Sequence, residues 1–484
     1  MAKHFISVLG TGNYAETVYY YKNVQGEEIK TKTLFVQEAS LKATFNEIAK
    51  EDRITIFLTQ KAKKANWENR KYTEKDLERL QKNSNNTIKV GDIRVGLKEV
   101  LEKSFPQIEV ETVEILEGKN EEELWSISDC IYESIKDNEE IIFDVTHGFR
   151  SIPIQAITVL NYAKALKNIL VNRILYGAYE VGSKRSDGNY YAPIFDITMC
   201  NEILNWSVAA DAFARYGNSA HIYDLFKEER NRKRRMGDFS LDCLNDVVDN
   251  IKCITDSIDT GRGKGFNDKN KSIQGAYDSL SSSLSTLKED EKDLLKPLSP
   301  LFEKIQERIK IFSGESNLEI GLATVQWSID NNMTQQGYTA LEETVKTFIC
   351  NLYELEETDY NDRENVAKDA VNIINRVTRD LNKKNEQITR ERIIKEIKLH
   401  DERYHKQQLS DDESIKFFNI IKTIPKEIVN MSSKIGQMRN SINHFGYDKG
   451  GFKSDTLTNN LKRYYKEFLE IVDKYKDVDF SRKD

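Results

Sequence analysis

The sequence predicts an α/β domain followed by an all-helical region, and three observations carry that reading. Over residues 1–200, short apolar strand patterns alternate with helix patterns, as in a doubly wound, mainly parallel sheet. Beyond about residue 200 the strand signal disappears and amphipathic helix patterns run to the end. With only 6 Pro and 23 Gly against 31% charged residues, the composition favours long surface helices.

In chain order, Phe5–Leu9 is a compact apolar strand ending in Gly10-Thr11-Gly12-Asn13-Tyr14. Thr17–Val36 reads as a hairpin turning at Gln25-Gly26. A helix over Leu41–Ala49 precedes the strand Ile54–Leu58, which ends in Thr59-Gln60-Lys61. Residues 73–104 read as helical with a break near Asn83–Asn86. The strand Ile108–Ile115, the helix Glu121–Ile135 and the strand Ile141–Val145 complete a βαβ unit. The last of these strands ends in Thr146-His147-Gly148-Phe149-Arg150-Ser151; a long apolar helix over Pro153–Leu166 and the strand Ile174–Tyr176 follow.

Residues 201–255 and 273–312 are predicted helical, separated by the glycine-rich loop Gly261–Gly265. A basic run, Arg230-Asn231-Arg232-Lys233-Arg234-Arg235, reads as a solvated helix face balanced by Glu228, Glu229 and Asp238, with an RNA-guiding surface as the alternative. Helices are expected over Leu318–Asn331, Gly337–Leu355, 365–382, 386–400, 425–445 and 456–475, with the polar stretch Glu356–Glu364 among them. They predict an all-α bundle. The expected organisation is an α/β domain over 1–200, a helical linker domain over 201–317 and a second all-helical domain over 318–484.

The totals exclude several classes. At 39%, hydrophobic content supports sizeable cores and excludes a disordered chain. A net charge of −7 gives no bulk electrostatic case for duplex DNA, so nucleic-acid contact must be local. Five scattered cysteines, without a Cys-x-x-Cys or a Cys/His cluster, argue against structural zinc and a disulfide framework. The N-terminus has a strand pattern rather than that of a signal peptide, and no apolar run approaches a membrane span. A soluble cytoplasmic protein without membrane contact is expected.

Two constellations carry chemistry. In open α/β sheets ligands sit at the carboxyl ends of strands, near the switch point. Gly10, Thr11, Gly12, Asn13 and Tyr14 offer close backbone approach and amide groups for phosphate or ribose. Thr146, His147, Gly148, Phe149, Arg150 and Ser151 add a cation, stacking rings and a helix N-terminus. Thr59 and Lys61 form a third set. Gly10-x-Gly12-x-x-Ala15 also fits a dinucleotide fingerprint, but that motif needs a helix after the glycines, whereas the β-rich Val18-Tyr19-Tyr20-Tyr21 follows. His147 at a strand end has a second reading, as a structural hydrogen-bond partner.

The second constellation is Arg439-Asn440-Ser441-Ile442-Asn443-His444, near the end of a predicted helix that Gly446 stops. At about 100° per residue, Arg439, Asn443, Asn440 and His444 share an arc of about 140°. Ile435, Met438, Ile442 and Phe445 are expected to pack on the opposite side. A cation, an amide and a titratable ring suit phosphodiester cleavage in RNA, whose 2′-hydroxyl supplies the nucleophile, without need of a metal.

With both ends read, the chain resembles the CARF–HEPN ribonucleases of type III CRISPR systems. The Rossmann-like CARF part rests on Gly10–Tyr14, Asp144-Val-Thr-His-Gly-Phe-Arg-Ser151 and Tyr176-Gly-Ala-Tyr-Glu180; the HEPN part rests on Arg439-Asn440-x3-His444 and Gln335-Gln336-Gly337-Tyr338. The resemblance implies a homodimer whose paired CARF domains bind one cyclic oligoadenylate, with tetra-adenylate expected and hexa-adenylate open. It further implies a composite HEPN site that cuts single-stranded RNA without metal or cofactor. By position, Arg439, Asn440 and His444 would be the nuclease residues, and Gly10–Asn13 with Thr146–Ser151 would line the ligand pocket. Two rivals are a non-catalytic nucleotide sensor, and a CARF pocket that linearises its own ligand through Thr11, His147 or Arg150.

Overall fold

The computed structural model describes residues 1–23, 25–45, 48–80, 88–148, 151–263, 272–286, 299–384, 411–447, 451–478 and 480. The chain divides into two units. The first comprises Met1–Asn205 with Asn231–Phe239, and the second Trp206–Arg230 with Ser240–Asp484.

The first unit is built on strands β1 (Lys3–Leu9), β2 (Thr17–Lys22), β3 (Glu28–Thr33), β4 (Arg53–Leu58), β5 (Arg70–Lys71), β6 (Ile93–Arg94), β7 (Val110–Glu114), β8 (Glu140–Asp144), β9 (Leu170–Gly177), β10 (Ser183–Lys184) and β11 (Tyr190–Asp196). Among the described residues the main sheet runs β3-β2-β11-β9-β8-β1-β4-β7, with β10 paired to β11; β5 and β6 form a separate ladder. Strands β7, β4, β1, β8 and β9 are mutually parallel. The chain runs from β1 outward through β4 to β7, then returns to β8 on the other side of β1 and proceeds to β9. The switch point therefore lies between β1 and β8, and the two glycine-containing loops emerge at their carboxyl ends.

Strand β1 is apolar on both faces because both are covered. Phe5 and Leu9 join one core with Ile54, Ile56, Leu97 and Leu101, while Ile6 and Val8 join another with Phe57, Ile127, Ile152 and Leu160. The helices of this unit are α1 (Val36–Thr44), α2 (Gln60–Ala62), α3 (Glu74–Leu80), α4 (Leu97–Ser104), α5 (Glu121–Ser134) and α6 (Ser151–Lys167).

Several expectations are corrected here. The first helix is not Leu41–Ala49 but begins at Val36; Gln37, Glu38 and Ser40 are buried with its apolar residues, which hides the amphipathic period. The hairpin accordingly ends at Thr33. Residues 73–104 are not one broken helix: the β6 strand, paired antiparallel with β5, separates α3 from α4. Strand β11, which no sequence pattern announced, pairs antiparallel with β9 and parallel with β2. The expected break at 83–86 and the expected helix 386–400 lie outside the described residues.

The second unit is helical, and α7 (Met199–Tyr216) and α8 (Ala220–Arg235) each contribute to both units. It continues with α9 (Asn245–Asp259), α10 (Ile273–Thr286), α11 (Ser299–Ile309), α12 (Asn317–Asp330), α13 (Thr334–Leu352), α14 (Asp369–Lys384), α15 (Asp411–Thr423), α16 (Lys426–Asn443) and α17 (Ser454–Tyr475). Helix α12 starts at a capping box in which Ser316 and Glu319 satisfy each other's backbone amides. It feeds two cores: Trp327 joins Phe213, Phe226 and Phe312, whereas Val325 joins Tyr338, Phe348, Ile435 and Phe468. Gly321 lets α12 approach α13, since a Cβ there would collide with the Thr344 hydroxyl. The polar stretch expected at 356–364 runs into a π-helical turn, Asn361–Lys368. Its Arg363 and Glu364 pair with Glu343 and Lys346 of α13 at 2.8 and 2.6 Å.

The basic run is not a solvated face throughout: Arg234 and Arg235 are exposed, but other members are drawn into ion pairs. In the first unit Arg232 is buried, donating to the Asn172 carbonyl and pairing with Glu202, and Lys233 lies near Glu202 and Asp238. In the second unit Arg230 pairs with Asp242 at 2.8 Å. Glu202 and Asp242 thus join Asp238 in taking up these charges, and the buried Glu229 accepts from the Trp206 indole N–H.

Candidate functional site

At the switch point, the loop Gly10–Tyr14 is held from beneath by a buried polar scaffold. The Asn66 side-chain amide donates to the carbonyls of Gly10 and Gly12, both at 2.9 Å. Asn66 is oriented in turn by Arg94, whose guanidinium donates to Asn66 Oδ1 at 2.7 Å, to the Ala65 carbonyl at 3.1 Å and to the Tyr14 carbonyl at 3.5 Å. Both side chains are fully buried. With the loop carbonyls thus engaged, the N–H groups of Thr11, Gly12 and Asn13 make no hydrogen bond among the described residues. Successive free amides on an exposed loop form a concavity suited to an anion.

The facing loop is fixed by Asp144 at the end of β8. Its buried carboxylate accepts from the Ser7 hydroxyl of β1 at 3.0 Å, from the Thr146 amide at 3.0 Å and from the Thr146 hydroxyl. The Thr146 oxygen accepts from the Gly177 amide at 2.7 Å, so the ends of β1, β8 and β9 are tied together. Burial raises the Asp144 carboxyl above its ordinary range.

Tyr14 and His147 join the two loops, their rings stacked at 4.6 Å and 26°. The Tyr14 hydroxyl is buried with no partner in full hydrogen-bond geometry among the described residues, and burial pushes its pKa up. His147 makes no hydrogen bond among the described residues, so it is a stacking ring rather than a structural hydrogen-bond partner. Gly10 sits at the seam: a Cβ there would lie 2.7 Å from the Tyr14 hydroxyl and 3.4 Å from the His147 Cβ. Gly10→Ala is therefore expected to part the stacked rings and weaken ligand binding about tenfold, a drop of about 1.4 kcal/mol measurable by calorimetry. Gly148, at φ +117°, packs its backbone against Val8 of β1.

Burial lowers the His147 pKa to about 4. The unfolded chain, titrating near 6.5, then binds more protons than the native state between those values. Stability is thus expected to fall as pH drops from about 6.5 to about 4, and His147→Gln should flatten that slope in urea denaturation across this range.

Among the described residues, no hydrogen bond or ion pair of the Thr59 or Lys61 side chain reaches these two loops. The Thr59 hydroxyl caps α2 by accepting from the Ala62 amide at 3.2 Å, and the exposed Lys61 pairs with Glu117 at 2.7 Å. Ser151 opens α6, while Phe149 and Arg150 lie outside the described residues. Asn66 and Arg94 escaped sequence reasoning because neither belongs to a motif; their role depends on contacts spanning 28 to 80 residues.

In the second unit, α16 presents the other constellation. Ile428, Ile435 and Met438 are buried in a core shared with Leu341 and Val345 of α13 and with Leu461 and Tyr464 of α17. Arg439 is half-buried, its Nε 3.2 Å from Glu342 Oε2 on α13; neither atom has hydrogen-bond geometry, so the contact is one of charge alone. Asn440 and His444 are exposed on the same helix end, and His444 is its C-cap residue. The helix closes with the His444 amide on the Asn440 carbonyl at 2.9 Å and the Gly446 amide on the Ser441 carbonyl at 3.1 Å.

One expectation about this helix is overturned. Phe445 was expected on the packed face with Met438 and Ile442, yet it is 83% exposed. The helix stops at Asn443, and Phe445 adopts φ +56° ahead of Gly446 at +71°. That left-handed turn, costing a bulky residue about 1 kcal/mol, swings the ring away from the core.

A cavity of about 620 Å³ in the second unit is lined by Gly261–Gly263, Thr324, Thr339, Thr344 and Arg363, and by none of Arg439, Asn440 or His444. Among the described residues, no three histidine, cysteine or carboxylate side chains converge as a metal site, and no helix is long and apolar enough to cross a membrane.

The fold defines an α/β domain with two polar strand-end loops at its switch point, followed by a mostly helical region. Comparison with known proteins narrows the class. Residues 4–181 match the family described as CRISPR system endoribonuclease Csx1, CARF domain. Residues 202–316 match the second domain of CRISPR-associated protein MJ1674. The CRISPR-associated protein MJ1674 of Methanocaldococcus jannaschii is 26% identical over 250 residues, covering 51% of this chain and 35% of that protein. The matched region thus spans about a third of that relative. These matches support a CRISPR-associated protein containing a CARF domain, followed by a mostly helical region.

Proposed function

We propose that the protein is an endoribonuclease of CRISPR defence, acting in the cytoplasm, whose CARF domain binds a cyclic oligoadenylate and whose C-terminal helices form a HEPN site that cuts single-stranded RNA. The observation that carries this reading is the end of α16, where the half-buried Arg439 is followed by the exposed Asn440 and His444, in a chain whose residues 4–181 match the CARF domain of an endoribonuclease. The RNA 2′-hydroxyl attacks the adjacent phosphorus; the 5′-oxygen leaves, giving a 2′,3′-cyclic phosphate and a 5′-hydroxyl. His444 transfers protons, Arg439 balances the charge of the phosphorane and Asn440 orients the phosphate or the ring. No metal or cofactor is required by this route.

A single imidazole does not readily serve as both acid and base in one step, so the complete site takes a second His444 from a second copy of the chain. A homodimer is also supported in the first unit. Trp125 of α5 and Ile154, Tyr162 and Leu166 of α6 are apolar side chains between 55% and 68% exposed. Helix α6 starts at the ligand loop, so two copies facing through it would bring two loops around one symmetric ring. Cyclic tetra-adenylate is the favoured ring, and it must prefer the active arrangement by a few kcal/mol to switch it. Gel analysis of end-labelled RNA, with and without cyclic tetra- or hexa-adenylate and with chelator present, tests the reading. Ligand-dependent products ending in a cyclic phosphate support it, whereas intact RNA under every condition leaves a non-catalytic sensor.

A further inference from the structure

The two most exposed large apolar side chains among the described residues are Phe445 and Tyr447, at 83% and 87%. They flank Gly446 directly after His444, with ring centroids 5.9 Å apart and planes inclined by 34°. A helix continued through residue 445 would carry this phenylalanine toward the face of Met438 and Ile442. Instead φ +56° holds it outward, a conformation rare for a bulky side chain. An exposed aromatic pair held out by an unfavourable backbone turn is an observed outlier beside reactive groups, the setting in which such strain points to function.

The charge of the flanking sequence indicates what the rings meet. Between residues 434 and 453 the sequence carries Lys434, Arg439, Lys449 and Lys453 against a single acid, Asp448, in a chain whose net charge is −7. A locally cationic stretch bearing two free aromatic faces matches the chemistry of single-stranded nucleic acid, a phosphate backbone with unpaired bases to stack. We propose that Phe445 and Tyr447 form a stacking platform for the nucleobase next to the phosphate presented to His444. This rests on the endoribonuclease reading and adds a substrate subsite to it. Because a stacking face accepts any base, the platform supplies affinity and register rather than sequence choice.

The test is fluorescence anisotropy with a fluorescein-labelled single-stranded RNA and cyclic tetra-adenylate, in a His444→Ala background that prevents turnover. The double variant Phe445→Ala/Tyr447→Ala is expected to bind about tenfold more weakly, and Phe445→Tyr/Tyr447→Phe to bind within about twofold of the parent. Both positions are solvent-exposed, so thermal melts of all variants should coincide. Light scattering reads the alternative occupant, a second copy of the chain: loss of oligomer in the alanine variant assigns the rings to a protein interface and overturns the proposal. Unchanged RNA affinity in that variant overturns the platform while leaving the nuclease intact, provided wild-type protein cleaves the same RNA in parallel. Absence of both binding and cleavage in the wild type overturns the two together.

Discussion

Replacing His444 by alanine is expected to lower RNA cleavage by about a thousandfold or more, while affinity for cyclic oligoadenylate stays unchanged. The magnitude follows from the role: a positioned general acid or base typically contributes about 10²–10⁴ in rate, and a two-fold site would lose both copies of the ring at once. Selectivity follows from placement. His444 is an exposed C-cap residue of the second unit, whereas the loops Gly10–Tyr14 and Thr146–Gly148 belong to the first. Its removal opens no cavity and breaks no hydrogen bond of its side chain among the described residues, so a thermal melt should hardly move. Single-turnover cleavage together with calorimetric titration of cyclic tetra-adenylate separates the two effects. Cleavage at the wild-type rate would remove His444 from the mechanism and, with it, the assignment of the α16 cluster.

Asn66→Ala carries the second large effect, on stability and ligand binding together. Asn66 is fully buried; its amide donates to two loop carbonyls, and its oxygen accepts from the buried Arg94. Alanine leaves those carbonyls unsatisfied and strips a desolvated guanidinium of one acceptor, for a loss of about 3 kcal/mol. The Gly10–Tyr14 loop loses the tether that turns its carbonyls away from the ligand side, so affinity for cyclic tetra-adenylate is expected to fall more than about tenfold. Urea denaturation and titration at a temperature where the variant remains folded read both quantities. Retained affinity in a destabilised protein would show that the loop keeps its shape without this scaffold.

The parts legible in the sequence are those encoded within a few neighbouring residues. Strand β1 reads as a continuous apolar run because both its faces are covered, and Arg439, Asn440 and His444 share a helix face by spacing alone. The same local reasoning failed at α1, where burial of Gln37, Glu38 and Ser40 erased the helical period. It failed at Phe445 too, because periodicity says which face a residue would occupy but not where the helix turns left-handed.

By itself, then, the sequence determined an α/β unit with glycine-rich strand ends, a helical remainder and a local polar cluster before a glycine stop. These are properties of short windows, set by side-chain periodicity and backbone preference. Only the tertiary structure decided that β11 enters the sheet between β9 and β2, that Arg232 is buried against Glu202 rather than solvated, and that Asn66 and Arg94 hold the Gly10–Tyr14 loop. Each of these pairs groups distant in sequence, and a buried polar group takes whatever partner the fold brings within reach, since leaving it unpaired costs more than any local preference.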